Sequence, residues 1–188
     1  SNDAMRYRFY LRKDIMFHTT DYFTPTRNLT SADILFTFSR ILHTDNPFHD
    51  VGGGQYPFFS GIGLSQLIEQ IIVVDDLTIE FRLNDPQASF LANMATDFAV
   101  ILSAEYGEQL IESGQKELID QKPIGTGPFK FKDYKRDHYI RYLKHHDYWQ
   151  SESNLEQIVF DITPDNSTRL AKLLTKECDV LGYPSASD

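Results

Sequence analysis

The chain is poor in the residues that usually announce chemistry. It has one cysteine, Cys178, and one tryptophan in 188 residues, so no disulfide can form within it. A chain of this length can bury roughly 70% of its extended surface without such a staple. Its longest uninterrupted apolar run, Phe98-Ala-Val-Ile-Leu102, is far short of the roughly 20 residues that span a bilayer. No cluster of Lys and Arg exists either: 18 basic residues face 27 acidic ones, for a formal charge of −9. Phosphate backbones are bound by clustered cations, so a nucleic-acid partner is excluded.

Familiar catalytic patterns are missing too. Gly52-Gly53-Gly54 follows no strand, opens no helix and lacks the Gly-Lys-Ser/Thr ending of a phosphate loop. His138, His145 and His146 lie close in sequence, but no second ligand pair completes a metal set, and solvated histidines are expected. There is no Gly-x-Ser-x-Gly elbow, and Cys178 sits between Glu177 and Asp179, a poor setting for a thiolate nucleophile. No cofactor is expected.

Aromatic residues are abundant: ten Tyr and fourteen Phe bring the aromatic content to 13%, which points to an apolar contact surface. The stretch Lys122-Pro-Ile-Gly-Thr-Gly-Pro-Phe129 forces a break, because proline lacks an amide donor and glycine frees the backbone. Ser103 to Gln121 reads as helical before it, with Ser103 as a cap and Gly114 as a stop. The alternation of 129–134 and 139–143 reads as a β-hairpin after it. A domain edge is expected there.

Earlier in the chain, Tyr7 to Leu11 alternates as a strand, and Phe17 to Phe23 reads as an exposed aromatic loop. Thr30 or Ser31 can cap a helix whose Ile34, Leu35, Phe38, Ile41 and Leu42 form one apolar stripe. Phe48 to Gly63 mixes six Gly or Pro with four aromatics and shows no period, so it reads as a long loop of functional character. Ile71–Val74 and Thr78–Leu83 form a hairpin with one solvated strand, and Ser89 caps a helix through Met94. Further on, 157–162 reads as a strand, Asp165 leads into a helix carrying Leu170, Leu173 and Leu174, and 179–183 as a last strand. This order of elements predicts an α/β fold with a mixed sheet and flanking helices. Residues 1–5 look foreign to the fold, and a first strand so near the start predicts an internal fragment.

Several separated motifs are similar to those of one family. Arg8-Phe-Tyr-Leu-Arg-Lys-Asp14, Phe23-Thr-Pro-Thr-Arg-Asn-Leu-Thr-Ser-Ala-Asp33, Pro123-Ile-Gly-Thr-Gly-Pro-Phe129, His146-Asp-Tyr-Trp149 and Arg169-Leu-Ala-Lys-Leu-Leu174 resemble, in order, the family 5 extracellular solute-binding proteins. Phe17-His18, Phe23 to Arg27 and Leu173 to Leu181 look most like members linked to antimicrobial-peptide resistance and haem uptake. The resemblance implies part of a type II periplasmic-binding-protein fold, with residues 6–122 as the second lobe and 123–188 as part of the first. It implies a monomeric periplasmic receptor that captures peptide, or haem, and delivers it to an ABC permease in the inner membrane.

By the same resemblance, Phe48, Tyr56, Phe58 and Phe59 are the candidates for ligand contact. Such rings give a large contact area at low entropic cost. Cys178, in its Glu-Cys context, would pair with a cysteine near the mature N-terminus. Two other classes stay open on the residues alone: a hydrolase using paired carboxylates, and a peptide-gripping interaction module without transport.

Overall fold

The computed structural model describes residues 5–182 and 184. The chain divides into two compact units, Ser1–Thr126 and Gly127–Asp188, at a point inside the proline and glycine stretch.

The first unit is built on a three-stranded sheet in the order β1-β3-β2, with β1 at Arg6–Tyr10, β2 at Ile68–Asp75 and β3 at Thr78–Leu83. Both pairings are antiparallel: Tyr7 faces Phe81 across β1 and β3, and Ile71 faces Phe81 across β2 and β3. The central strand β3 is almost wholly buried, while β2, at an edge of the sheet, is largely exposed. Successive side chains of a strand point to opposite faces, so Ile79, Phe81 and Leu83 share the inner one. There they pack with Ile34 and Phe38 of the helix α1 (Ser31–Leu42) and with Phe90 of α4 (Phe90–Met94).

The helix begins as expected, with Thr30 at the N-cap donating its amide to Asp33 Oδ2 at 2.8 Å. Between α1 and β2 lie two short helices, α2 (Pro57–Gly61) and α3 (Leu64–Leu67), so 48–63 is not a loop throughout. Pro57 at the start of α2 supplies a helical φ and forgoes an amide that would have no partner there.

A second core is centred on α5 (Ala104–Glu112) and α6 (Leu118–Gln121). Ser103 caps α5 by accepting from the Tyr106 amide at 3.2 Å. The helical stretch is interrupted after Glu112, where Gly114 takes a φ of 67°. Gly114 and Gln115 then donate to the carbonyls of Ile111 and Leu110, closing the end of α5 in a Schellman motif.

Phe17 and Phe23 belong to this core, which corrects the reading of 17–23 as an exposed loop. Thr20 Oγ1 accepts from the amides of Tyr22 and Phe23, and the Tyr22 hydroxyl donates to the Pro123 carbonyl. With its backbone satisfied locally, the segment can turn its rings inward.

The second unit holds β4 (Phe129–Lys135), β5 (Tyr139–Lys144) and β6 (Gln157–Asp161) in the order β4-β5-β6, followed by α7 (Asn166–Leu174). All its pairings are antiparallel, so the α/β class holds while the strands form two separate antiparallel sheets instead of one mixed sheet. A three-residue hairpin, 136–138, joins β4 to β5, and a connection this short permits only the antiparallel sense. Asp165 caps α7 through the Thr168 amide at 2.8 Å. Residues 179–182 are not a strand, and Tyr183 lies outside the described residues, as do four of residues 1–5.

His145 is buried, not solvated: its Nδ1 lies 3.0 Å from the Gly127 carbonyl and its amide donates to Pro128. His138 and His146 are exposed. Among the described residues no helix is long and apolar enough to cross a membrane.

Candidate functional site

The segment from Phe48 to Phe59 is positioned by one face of α1. Asp33, Thr37 and Arg40 are spaced as i, i+4 and i+7, which stacks them along a single stripe, and all three are buried. Asp33 and Thr37 hold chain outside the candidate segment, and Arg40 holds the segment itself. Asp33, with no exposed surface, accepts two hydrogen bonds from the Arg27 guanidinium, at 2.8 and 2.9 Å, and one each from the amides of Thr30 and Ala104 at 2.8 Å. Thr37 Oγ1 accepts from the Leu102 amide at 2.9 Å and donates to the Asp33 carbonyl at 2.8 Å.

Arg40 does the most for the candidate segment. Its Nε donates to the Phe48 carbonyl at 3.1 Å and its Nη2 to the Val51 carbonyl at 3.2 Å. Both terminal nitrogens also grip Asp120, at 2.9 and 2.6 Å. Burial opposes the guanidinium charge, and the Asp120 carboxylate outweighs it, so the Arg40 pKa lies above its ordinary value. Sequence reasoning missed Asp33, Thr37 and Arg40. Their signal was a polar stripe at helical spacing beside the apolar one.

Gly52, Gly53 and Gly54 take φ values of 80°, 98° and 65°, a left-handed region that other residues enter only with strain. This turn explains the glycine run without any phosphate. A Cβ on Gly52 would stand 3.0 Å from Asp120 Oδ2, so the turn also needs the missing side chain. The turn borders an open cleft of about 500 Å3, lined by Asp50, Val51, Gly52, Lys116, Glu117 and Asp120. Charged side chains contribute to its lining, and none of the four aromatic candidates does.

Those candidates divide into two pairs. Phe48 has no exposed surface and meets Phe36 edge-on at 5.4 Å, and Phe59 is also buried, so both rings are occupied by the core. Tyr56 and Phe58 are half-buried. The Tyr56 hydroxyl donates to the His49 carbonyl at 2.9 Å, and burial raises its pKa while Arg40 pulls it the other way. Phe58 stacks on Phe98 at 4.4 Å with the rings 12° from parallel. Cys178 is a free, half-buried thiol. No three His, Cys, Asp or Glu side chains approach closely enough to hold a metal ion among the described residues. What the segment leaves exposed is part of the Tyr56 and Phe58 ring surface.

Known proteins match this chain along its whole length. The family described as bacterial extracellular solute-binding proteins, family 5 Middle, matches residues 1–188. The dipeptide-binding protein of Escherichia coli K12 is 45% identical over 188 residues, which cover all of this chain and 35% of that protein. Heme-binding protein A of Haemophilus influenzae is 43% identical, again over the full chain and 34% of its own length. The probable ABC transporter periplasmic-binding protein SapA of E. coli is 42% identical over 186 residues, 99% of this chain and 34% of its own.

Among solved structures, the dipeptide binding protein from Pseudoalteromonas sp. SM9913, in complex with Met-Leu, superposes with a TM-score of 0.95 at 52% identity, over all of this chain and 37% of that one. This chain therefore spans about a third of the relatives' length. With sequence matched from end to end and the fold superposed, the chain belongs to the family 5 bacterial extracellular solute-binding proteins.

Proposed function

We propose that this chain is part of the substrate-binding component of a peptide ABC importer, which captures peptide without covalent chemistry in the periplasm and hands it to a permease in the inner membrane. The observation that carries this is the match over the whole chain to the dipeptide-binding protein of E. coli, at 45% identity. Residues 6–122 act as the second lobe and 123–188 as part of the first. Within the candidate segment, Tyr56 and Phe58 are the rings with surface free to meet a ligand, while Phe48 and Phe59 hold the segment to the core. Cys178 pairs with a cysteine elsewhere in the receptor. The receptor works as a monomer, without a cofactor and without catalysis.

A second ligand class has specific support. The relative named Heme-binding protein A is 43% identical over the full chain, close to the figure for the dipeptide-binding protein. Haem is therefore the alternative cargo of the same receptor.

Calorimetric titration of a dipeptide, a cationic antimicrobial peptide and hemin, into this chain and into a chain of the relatives' full length, tests the proposal. Binding of a peptide by the longer chain is expected, and hemin binding in place of peptide would select the alternative cargo. If neither chain bound any of the three, the transport assignment would fail. Tight binding by the shorter chain that is lost in Tyr56→Ala would favour a self-contained interaction module.

A further inference from the structure

We infer that the outer face of the β1-β3-β2 sheet carries a binding site for the phosphate group of a small soluble phosphate ester, formed by Arg6, Arg8 and Arg82 around the buried carboxylate of Glu80. The cluster is invisible in sequence, because Glu80 lies 74 residues from Arg6 and 72 from Arg8. Strand register assembles it. Arg6 faces Arg82 and Arg8 faces Glu80 across β1 and β3, and on β2 the residues opposite Arg82 and Glu80 are Gln70 and Ile72. Alternation puts these six side chains on the face away from Ile79, Phe81 and Leu83.

Like charges directly opposite each other on paired strands are destabilising, so the Arg6–Arg82 pairing is a cost to the sheet. One carboxylate offsets only part of it. Glu80 accepts from Arg8 Nη2 at 2.7 Å, from Arg82 Nε at 3.0 Å, and from Arg6 Nη2 and Arg8 Nε at 3.3 Å. Three positive charges thus meet one negative charge, and a surplus of two remains. Neither Glu69 nor Asp75, the acids of β2, is ion-paired to these arginines among the described residues. The Glu80 side chain is 5% exposed, whereas those of Arg6, Arg8 and Arg82 are 49%, 47% and 39% exposed. The carboxylate therefore anchors three guanidiniums that stay open to solvent.

Charge and acceptor count select the ligand. A phosphate ester brings a charge of about −1.5 to −2 near neutral pH and three acceptor oxygens, one for each guanidinium. A carboxylate brings one charge and two oxygens. Side chains already held in place also lose less freedom when the ligand arrives. The chain's net charge of −9 repels an extended anionic bilayer far more than a small dianion, which favours a soluble ester over a lipid headgroup. The site is separate from the peptide contacts proposed above, since neither Tyr56 nor Phe58 belongs to it.

Calorimetric titration of inorganic phosphate and of acetate, into this chain and into a chain of the relatives' full length, tests the inference. Saturable phosphate binding is expected in both, with acetate weaker by about tenfold or more. Arg6→Gln and Arg82→Gln each remove a charged donor and should weaken phosphate binding about tenfold, with an unchanged circular dichroism spectrum. Arg136→Gln, at an exposed arginine of the second unit, should leave it unchanged. Should the variants fail to fold, the arginine Nε–H signals of the unmodified chain decide: phosphate-dependent shifts confined to Arg6, Arg8 and Arg82 support the site, and their absence rejects it. Equal phosphate binding by the parent and Arg6→Gln would overturn the site, as would acetate binding as tight as phosphate. Binding by this chain that the longer chain lacks would overturn it as a property of the receptor. Adhesion to phosphatidic acid vesicles without any response to free phosphate would overturn the soluble ligand.

Discussion

Replacing Arg40 with methionine isolates what the polar stripe of α1 contributes. Methionine keeps much of the apolar stem and removes the guanidinium, so the measured loss reports hydrogen bonds more than packing. Two of those bonds run from a charged donor to the carbonyls of Phe48 and Val51, and such bonds contribute about 1.5–3 kcal/mol each. The bidentate pair with Asp120 is worth less than its geometry suggests. Asp120 is 41% exposed and regains water when its partner goes, so about 1 kcal/mol is appropriate.

The three together give about 4–7 kcal/mol, and for a protein of this size that lowers Tm by roughly 10–20 °C. The loss is also local. Hydrogen exchange in the chain from Asn46 to Gly54 should accelerate more than exchange in β3, because Arg40 is the group that holds these carbonyls to α1. Calorimetry and exchange mass spectrometry measure both quantities. A Tm within 2 °C of the parent, with unchanged exchange in that segment, would refute the clamp.

Two smaller perturbations probe the same unit. Glu80 is gripped by Arg8, Arg82 and Arg6, which hold its carboxyl down at about 2. An unfolded glutamate titrates near about 4.3, so this stabilisation is complete above that pH and drains away as pH falls from about 5 toward about 2. Tm measured against pH should decline across this window, and Glu80→Gln should flatten the decline; identical slopes would dismiss the triad as a source of acid sensitivity. Gly52→Ala forces a Cβ into a φ of 80° and within 3.0 Å of Asp120 Oδ2, so a loss of about 1–3 kcal/mol is expected by chemical denaturation. An unchanged midpoint would mean that the turn is not held in this conformation.

Local periodicity was enough to place most elements. The 3.6-residue stripe of α1, the alternation of β3 and the caps at Thr30, Ser103 and Asp165 all report through neighbours a few residues away. The destination of loop aromatics does not. Phe48 is buried against Phe36 and fixed by an arginine whose other partner, Asp120, lies 80 residues further on, and no short window contains that pair. The same limit misplaced Phe17 and Phe23, whose core neighbours Tyr106, Leu110 and Ile119 are remote in sequence. Residue type identified these rings as contact makers; only the fold could say that the contacts are internal.

The second unit shows the converse. Its alternation was read correctly and its strands form, yet among the described residues from Gly127 onward no apolar side chain is buried. Phe131, Tyr142 and Phe160 meet edge to face in a row across the sheet, with Phe160 still 56% exposed. The helix α7 does not cover them: it is tied to β6 by the Lys172–Asp161 ion pair, and its Leu174 is 73% exposed. Strand pattern thus specifies this sheet through neighbours close in sequence and rings paired across the strands, whereas burial, which depends on remote contacts, is not written in that pattern.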